Sequence, residues 1–290
     1  MTSTSGPAWG RAVLVTGVPR SGTTWLARLL AQAPRTAMPG REPMNPHAGQ
    51  FRLAGTLQAW SQLDEPTGRQ RRALWRSYRG LEPRTYGRLG VRSWAAPLPW
   101  TTVVVKDPFA LLALPTVIAT TQARPVLVFR HPAAVLASYR RMGWTPDVAE
   151  IVAVEPSSAA RAPGDEADDV DRMAFFWSAC HQIALRPAPG GGTIVCVSHE
   201  ELTRGGEPAV RRLYEACGLT FGDRAALDVR SWTSRRAAAS TSADPLHVLD
   251  RSPEHAGSAW KDAVSPQHLE RLEAATRPVR ELLHQRSLAL

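Results

Sequence analysis

The sequence predicts a three-layer α/β fold, in which a central parallel sheet is flanked by helices on both faces. Short apolar and β-branched runs alternate along the chain with segments of helical periodicity. These runs are apolar throughout, which is typical of parallel strands that are buried on both faces. At 290 residues the chain is long enough to bury a core without disulfide or metal support.

The first predicted unit is a strand, a glycine-containing loop and a helix. The strand covers residues 12–16 and is followed at once by Gly17. Helical periodicity begins at Thr24 and runs to Ala33, where Pro34 ends it. The order strand, loop, helix resembles a P-loop in outline and opens the fold.

Three further strand-length runs follow, and helical patterns come after each of them. Proline opens the first two of these helices, and Gly218 ends the third. The predicted strands are 102–105, 126–129 and 193–197, and the predicted helices are 108–120, 132–142, 207–217 and 266–285.

The chain is predicted to form a single domain over residues 1–290. Two long segments, about 35–100 and 144–175, are rich in proline, glycine, tryptophan and charge and fit none of the strand–helix units. Insertions of this size on an α/β frame commonly carry function. We expect them to form helical coverings over the cleft that takes the substrate.

Composition narrows the class of protein. The net charge is +9, but all but two of the 35 basic residues are arginine and they are spread along the chain. This bias is typical of a GC-rich genome, and the modest cluster between residues 69 and 79 suits the solvated face of one helix. An anionic small-molecule ligand is therefore favoured over nucleic acid.

Targeting and cysteine signals point to the cytoplasm. Residues 1–10 lack the pattern of a signal peptide, and no apolar run is long enough to span a membrane. The three cysteines, Cys180, Cys196 and Cys217, fit neither a disulfide framework nor a zinc site. The histidines are scattered as well, so no metal site is predicted.

The loop between the first strand and helix carries the clearest chemical signal. It reads GVPRSGTTWL over residues 17–26. Glycines let backbone N–H groups close around an anion, and the helix N-terminus adds unpaired donors. A nucleoside-triphosphate loop needs Lys after its second glycine, whereas Thr23 follows Gly22 here, so Arg20 is the cation of the loop. The pattern predicts a phosphate or sulfate site.

A second anion site is predicted after the strand 126–129. Arg130 ends this apolar run, and Ser138 follows eight residues later on the next helix. The two side chains can converge on one phosphate with charge-assisted hydrogen bonds. A structural ion pair for Arg130 is the plainer alternative.

These motifs resemble those of a known family. Residues 19–26 (PRSGTTWL) look like the 5′-phosphosulfate loop of the sulfotransferases that use 3′-phosphoadenosine 5′-phosphosulfate (PAPS), and residues 128–139 are similar to their 3′-phosphate strand and helix. The likeness continues through Lys106-Asp107-Pro108 and Ser198–Leu202 and, more loosely, Trp260-Lys261. It covers the frame of nearly the whole chain but neither insertion.

The resemblance implies roles for particular residues. Trp25 is expected to border the adenine. Arg251 is the candidate for a further arginine at the 3′-phosphate, although the family's Arg-Lys-Gly wording is absent. The implied cofactor-binding residues are Pro19, Arg20, Ser21, Gly22, Thr23, Thr24, Trp25, Arg130, Ser138 and Arg251.

Sulfuryl transfer needs cations at the departing phosphate and a base for the accepting hydroxyl. Arg20 and Lys106 are the candidate cations. One branch of the family has a histidine two residues after the matching lysine, but Pro108 stands there. Carbohydrate-modifying members have a Glu-Pro after the first helix, which Glu42-Pro43 matches. Glu42 is therefore the predicted general base.

Two other residues stay open as the general base, namely Asp107 and His47. Both lie in the same stretches of sequence as the catalytic candidates.

The predicted function is PAPS-dependent sulfuryl transfer to a hydroxyl of a small molecule or saccharide, with release of PAP and no metal requirement. A GC-rich source suits bacterial specialised metabolism, and a homo-oligomer is compatible with the sequence. Two other classes stay open: a P-loop nucleotide or sugar kinase, and a non-catalytic basic protein that binds a nucleotide or nucleic acid.

Overall fold

Six strands form one sheet in the computed structural model of the chain, which describes residues 12–186, 193–234, 260 and 263–290. The strands are β1 (Ala12–Thr16), β2 (Thr36–Gly40), β3 (Tyr86–Val91), β4 (Thr102–Lys106), β5 (Arg124–Phe129) and β6 (Val195–Ser198). Their order across the sheet is β3-β2-β4-β1-β5-β6.

Helices connect these strands. They are α1 (Thr23–Leu30), α2 (Gly68–Tyr78), α3 (Leu114–Thr121), α4 (Pro132–Met142), α5 (Val148–Val154), α6 (Asp169–Ala184), α7 (His199–Ala216), α8 (Asp223–Ser234) and α9 (Pro266–Gln285). Shorter helical turns occupy Arg52–Gly55, Pro83–Thr85, Ser93–Ala95, Pro108–Leu111 and Pro156–Arg161.

The sheet is covered on both faces, which confirms the predicted three-layer α/β class. Alternate residues of β1 enter different cores: Leu14 belongs to the cluster that contains residues of α4 and α6, and Val15 to the one that contains residues of α1 and α7. This alternation follows from the two-residue period of a strand. Every residue of β1 is buried, as the continuous apolar run predicts.

The sheet is mixed rather than wholly parallel. β1 pairs with β4 and β5 in parallel, and β2–β4 and β5–β6 are also parallel. β3 runs antiparallel to β2 at the edge. The parallel arrangement predicted from sequence thus holds for five strands.

The segment 35–100 contributes to the frame, which corrects its assignment as an insertion outside the sheet. It supplies β2 and β3, and helix α2 packs against β4. The strands escaped prediction because β2 contains Pro39 and Gly40 and β3 contains two glycines, all of which disfavour strands. At Gly40 the φ angle is +106°, and a Cβ there would lie 2.5 Å from the Gly90 nitrogen.

Other boundaries differ by a few residues. The predicted helix 108–120 is a turn at Pro108–Leu111 followed by α3. The helix predicted over 207–217 is the second half of α7, which is interrupted at Gly206 (φ 58°) before Pro208. The predicted helices 132–142 and 266–285 match α4 and α9.

Candidate active site

The predicted site residues gather at the carboxyl ends of the strands. The connection after β1 runs to β2 on one side of the sheet, and the connection after β4 runs to β5 on the other side of β1, so the strand order reverses beside β1. Open α/β sheets form a crevice outside the carboxyl ends of the strands at such a point. The loop after β1, Lys106 at the end of β4 and Arg130 after β5 all face this position in the fold.

Two glycines shape the loop between β1 and α1. Gly17 has φ +153°, and a Cβ there would lie 2.1 Å from the Val128 carbonyl oxygen. Gly22 has φ +96°, and a Cβ there would lie 2.5 Å from Cδ2 of His199. Gly22 is the N-cap residue of α1 and has no side chain that could accept a hydrogen bond. The first backbone N–H groups of the helix therefore face the loop without a side-chain cap. This is the geometry of an anion cradle.

The Ser21 hydroxyl points to a ligand in this cradle. The side chain is fully buried, and its Oγ has no hydrogen-bond partner among the described residues. A buried hydroxyl without a partner carries a free-energy cost that a bound anion removes. Thr23 is buried and Thr24 half-buried beside it, and Pro19 is half-buried in the same loop.

Arg20 connects the loop to helix α4. Its Nε donates to the Ser138 hydroxyl over 2.9 Å, and its Cζ lies 5.7 Å from the centre of the Trp144 ring. Arg20 also has φ +74°, an uncommon backbone conformation for a residue other than glycine. Such conformations cluster at functional sites, because the surrounding structure must stabilise them.

Arg130 lies beside Arg20 and is 9% exposed. Its Nη1 donates to the Arg20 carbonyl oxygen over 3.4 Å, and its own carbonyl accepts from Trp177 Nε1 over 3.1 Å. Burial lowers the pKa of Arg130, and the charges of Arg141 and Arg20 lower it further, while Glu200 raises it. Burial and Arg141 likewise lower the pKa of Arg20. The positive charges of Arg20 and Arg130 thus lie close together at the carboxyl ends of β1 and β5.

Glu42 and Lys106 form an ion pair on the other side of the crevice. Lys106 Nζ donates to Glu42 Oε1, and the side chains are 8% and 14% exposed. Asn45 Nδ2 donates to the second carboxylate oxygen of Glu42 over 2.5 Å. The Asn45 amide oxygen accepts from the His47 backbone N–H over 3.0 Å, so one asparagine orders the whole turn.

Asp107 also stabilises the turn that contains Glu42 and Asn45, through a hydrogen bond from the Met44 backbone. Its Oδ2 accepts from the Met44 backbone N–H over 2.6 Å, and its Oδ1 accepts from that of Phe109 over 3.1 Å. The side chain is fully buried. Burial and the charge of Glu42 raise its pKa from 3.8 to about 8, against the opposing effects of the N–H donors and Lys106.

Trp25 and His199 pack at the edge of the cradle. Their rings lie 5.2 Å apart, and His199 also fills the space above Gly22. Burial and the charge of Arg130 lower the pKa of His199 to about 3, so the ring is neutral. The described residues hold His131 in a stacked contact with Trp260, with ring centres 4.6 Å apart, and in contact with Glu273.

The two segments named as insertions meet near the crevice. Trp60 Nε1 donates to Asp147 over 3.1 Å, and the Trp60 N–H donates to Glu150 over 3.1 Å. The Trp60 ring lies 4.6 Å from Phe109, three residues beyond Lys106. His47 is exposed and contacts the same Phe109 ring at 5.5 Å. These aromatic rings lie on the side of the crevice that carries Glu42.

The structure brings most of the predicted residues together. Arg20 contacts Arg130 and Ser138, and Glu42 contacts Lys106, in two groups at one edge of the sheet. Arg251 lies outside the described residues. No sequence pattern predicted a role for Asn45, which orders Glu42, or for Glu200, whose Oε1 accepts from the His131 N–H over 3.0 Å. Only the position of Glu200 within the 198–202 motif hinted at the site.

The described residues contain neither a candidate metal cluster nor a candidate membrane-spanning helix. No group of three or more His, Cys, Asp or Glu side chains in them comes together in a way that suits a metal ion. Within the same part of the chain, no helix is long and apolar enough to cross a membrane.

A model of the sulfotransferase family matches residues 12–223, which include the loop after β1, Lys106, Arg130 and Ser138. The chain therefore belongs to the sulfotransferase family. This confirms the resemblance carried by residues 19–26 and 128–139.

The fold is similar to the crystal structure of sulfotransferase STF9 from Mycobacterium avium, with 14% identity and a TM-score of 0.42 over 93% of this chain and 76% of that one. No curated protein gives a significant match.

Proposed function

We propose that the protein transfers the sulfuryl group of PAPS to a hydroxyl of a small-molecule or saccharide acceptor and releases PAP. The observation that supports this most directly is the contact of Arg20 with both Ser138 and Arg130, which brings the positive charges of the two predicted anion sites together. Like charges that lower one another's pKa in a buried site are stabilised by a bound anion. The donor supplies the activated sulfuryl group.

Two anion-binding groups suit a donor with two separated phosphate positions. The loop of residues 17–22, with the N-terminus of α1, suits the 5′ end, and the unpartnered Ser21 hydroxyl supplies a donor there. Arg130 and Ser138 suit the 3′-phosphate. Arg20 lies between the groups, because it donates to Ser138 and comes from the loop itself. Trp25 is proposed to border the adenine, and stacking of a base on an aromatic ring contributes about 1–3 kcal/mol.

Glu42 is proposed as the general base, and Lys106 as the cation at the departing phosphate. In the structure the charges of Lys106 and Glu42 compensate each other, and Asn45 orients the Glu42 carboxylate. When Lys106 turns to the bridging oxygen, Glu42 is left to accept the acceptor's hydroxyl proton, which then resides on its carboxylate. Arg20 adds a second fixed charge at the loop.

Asp107 fits a positioning role better than that of a base. Both of its oxygens accept backbone N–H groups, and the side chain is fully buried. His47 is exposed and contacts Phe109 rather than the Glu42–Lys106 pair. We propose a single domain in which the part of segment 35–100 that contains Glu42 and Trp60, together with segment 144–175, lines the acceptor cleft. We also propose a cytoplasmic location and a role in bacterial specialised metabolism.

The donor is tested by binding. PAP is expected to raise the melting temperature without Mg²⁺, and ATP with Mg²⁺ to do much less. Arg130→Ala removes charge-assisted bonds worth about 1.5–3 kcal/mol, so PAP affinity should fall roughly 10- to 150-fold. Arg124→Ala, at the opposite end of the same strand, is the matched control and should keep wild-type affinity.

Equal stabilisation by ATP with Mg²⁺ overturns this assignment in favour of a kinase. A Kd for adenosine 5′-phosphosulfate equal to that for PAPS shows that no 3′-phosphate site exists at Arg130.

The base is tested by turnover. Glu42→Gln keeps the shape and the contact with Lys106 but cannot accept the proton, so kcat should fall by about 10²–10⁴ while PAP affinity stays near wild type. Glu65→Gln changes an exposed carboxylate and is the control. Near-normal kcat in Glu42→Gln, together with loss of turnover in Asp107→Asn or His47→Gln, transfers the role to that residue.

A further inference from the structure

One segment of the chain concentrates positive charge and exposed tryptophan. Residues 68–100 contain eight arginines and only one acidic residue, Glu82, in a chain whose total net charge is +9. The same segment holds three of the five large apolar side chains that the described residues expose: Trp75 (42%), Trp94 (75%) and Trp100 (61%). Charge and apolar exposure thus coincide.

The basic part of this surface lies on helix α2. Arg71, Arg72 and Trp75 are exposed, and together with Arg76 and Thr120 they line a groove of about 460 Å³ against α3. The Arg79 guanidinium lies 4.4 Å from the centre of the Trp75 ring. The single acidic residue of the segment is buried and paired with Arg76 and Arg84, so it does not neutralise Arg71 or Arg72.

The apolar part is the loop from Ser93 to Thr101. Its sequence SWAAPLPWT places two exposed tryptophans on either side of exposed Pro97 and Pro99. Arg79 lines a second cavity, of about 420 Å³, together with Pro97, Leu98 and Pro99. The same arginine therefore contacts both parts, and helix and loop form one continuous surface.

This loop is held in place by the frame. Ser93 Oγ donates to the Met38 carbonyl over 3.0 Å, and the Leu98 and Thr101 N–H groups donate to the Ala95 and Leu98 carbonyls over 3.1 and 3.0 Å. Gly80 approaches the loop so closely that a Cβ there would lie 2.5 Å from the Ala96 carbonyl carbon. The tryptophans are therefore displayed by a fixed loop rather than by a free end.

The surface lies at the edge of the sheet opposite the candidate active site. Trp100 comes two residues before β4 begins, whereas Lys106 ends that strand. β3 is antiparallel to β2, with Val91 opposite Met38, so Trp94 follows β3 at the end where the parallel strands begin. A partner bound here leaves the crevice at the carboxyl ends accessible.

We infer that this surface docks the protein onto an anionic lipid bilayer. Arginines are attracted to anionic headgroups, and tryptophan prefers the interface between headgroups and acyl chains. The run from Trp94 to Trp100 is apolar at every position, which suits shallow insertion into a bilayer. Single-stranded nucleic acid also binds arginine and aromatic residues, but base stacking and phosphate contacts do not involve an apolar Ala-Ala-Pro-Leu-Pro run between the rings.

The experiment measures sedimentation of the full chain with vesicles. Binding is expected to vesicles of equal parts phosphatidylcholine and phosphatidylglycerol, to be weak with phosphatidylcholine alone, and to fall as salt rises. Arg71→Ala/Arg72→Ala and Trp94→Ser/Trp100→Ser should each lower the partition coefficient about tenfold or more. The tryptophan fluorescence should shift to the blue on binding, and the second double variant should lose most of this shift.

Matched controls separate a specific surface from total charge and apolarity. Arg204→Ala/Arg277→Ala removes two exposed arginines elsewhere, and Leu227→Ser removes an exposed apolar side chain elsewhere. Both should bind vesicles like wild type, and all variants should keep wild-type PAP affinity, so this test is independent of the donor assignment.

Three outcomes overturn the inference. The first is no binding to the anionic vesicles, and the second is an equal loss of binding in the controls. The third is tighter binding to a single-stranded oligonucleotide that displaces the vesicles, which assigns the surface to nucleic acid.

Discussion

Replacement of Lys106 by methionine is expected to destabilise the fold, because it leaves the Glu42 carboxylate without its cation. Both side chains are largely buried, at 8% and 14% exposure, so solvent screens their interaction only weakly. Two unit charges about 4 Å apart attract by about 4 kcal/mol at an effective dielectric constant of about 20. Removal of one partner of a buried pair costs about 3–5 kcal/mol. We therefore expect Lys106→Met to lower the free energy of unfolding by about that amount.

A double-mutant cycle isolates this interaction. Glu42→Gln also leaves a buried charge, that of Lys106, but it costs less because the amide oxygen can still accept from the ammonium group. The variant that combines Lys106→Met with Glu42→Gln has no buried charge at this position, so it should be more stable than Lys106→Met alone.

Urea denaturation followed by tryptophan fluorescence gives the four free energies. Lys106→Ala removes the same charge without the methionine's volume and separates the charge effect from packing. The reasoning is refuted if Lys106→Met unfolds within about 1 kcal/mol of wild type, or if the two single effects simply add.

Two further changes test other parts of the site. Because the pKa of Asp107 is raised from 3.8 to about 8, the folded chain keeps a proton that the unfolded chain releases between these pH values. The stability contributed by this residue should thus be full below pH 3.8 and fall by about 1.4 kcal/mol per pH unit toward pH 8. Asp107→Asn should remove this slope in urea denaturation, and an unchanged slope would assign it to other groups. Gly22→Ala should cost about 1–3 kcal/mol of backbone strain and weaken PAP binding, because its Cβ would meet His199. Gly143 also has a positive φ, of +65°, but a Cβ there would have no atom within 4 Å, so Gly143→Ala is the control and should keep wild-type PAP affinity. Equal PAP affinity in the two variants would contradict the close-approach argument.

The elements that could be predicted from sequence are those with a strong local signal. The apolar run 12–16 and the proline-opened helix 132–142 appear with those bounds, because burial on both faces and a helix start at proline are decided within a few residues. The motifs of residues 19–26 and 128–139 likewise carried the resemblance to the family. These elements are determined by neighbouring residues and do not depend on contacts with distant parts of the chain.

The strands β2 and β3 lacked a local signal. Thr36–Gly40 contains proline and glycine, and it becomes a strand because β4 and β3 pair with it on either side. The same holds for the basic run between residues 69 and 79. As a sequence it suits a solvated helix face, and only the approach of the 93–101 loop shows that its arginines continue into an exposed apolar surface.

For the candidate site, the sequence by itself determined which chemical groups are present: an anion loop, an arginine and a serine eight residues apart, a strand-end lysine and a glutamate before a proline. The tertiary structure alone decided which groups meet. Arg20 contacts Ser138 across 118 residues of sequence, and Lys106 contacts Glu42 across 64. Such contacts follow from the strand order, because parallel pairing of β1 with β4 and β5 brings the carboxyl ends of distant segments to one edge of the sheet.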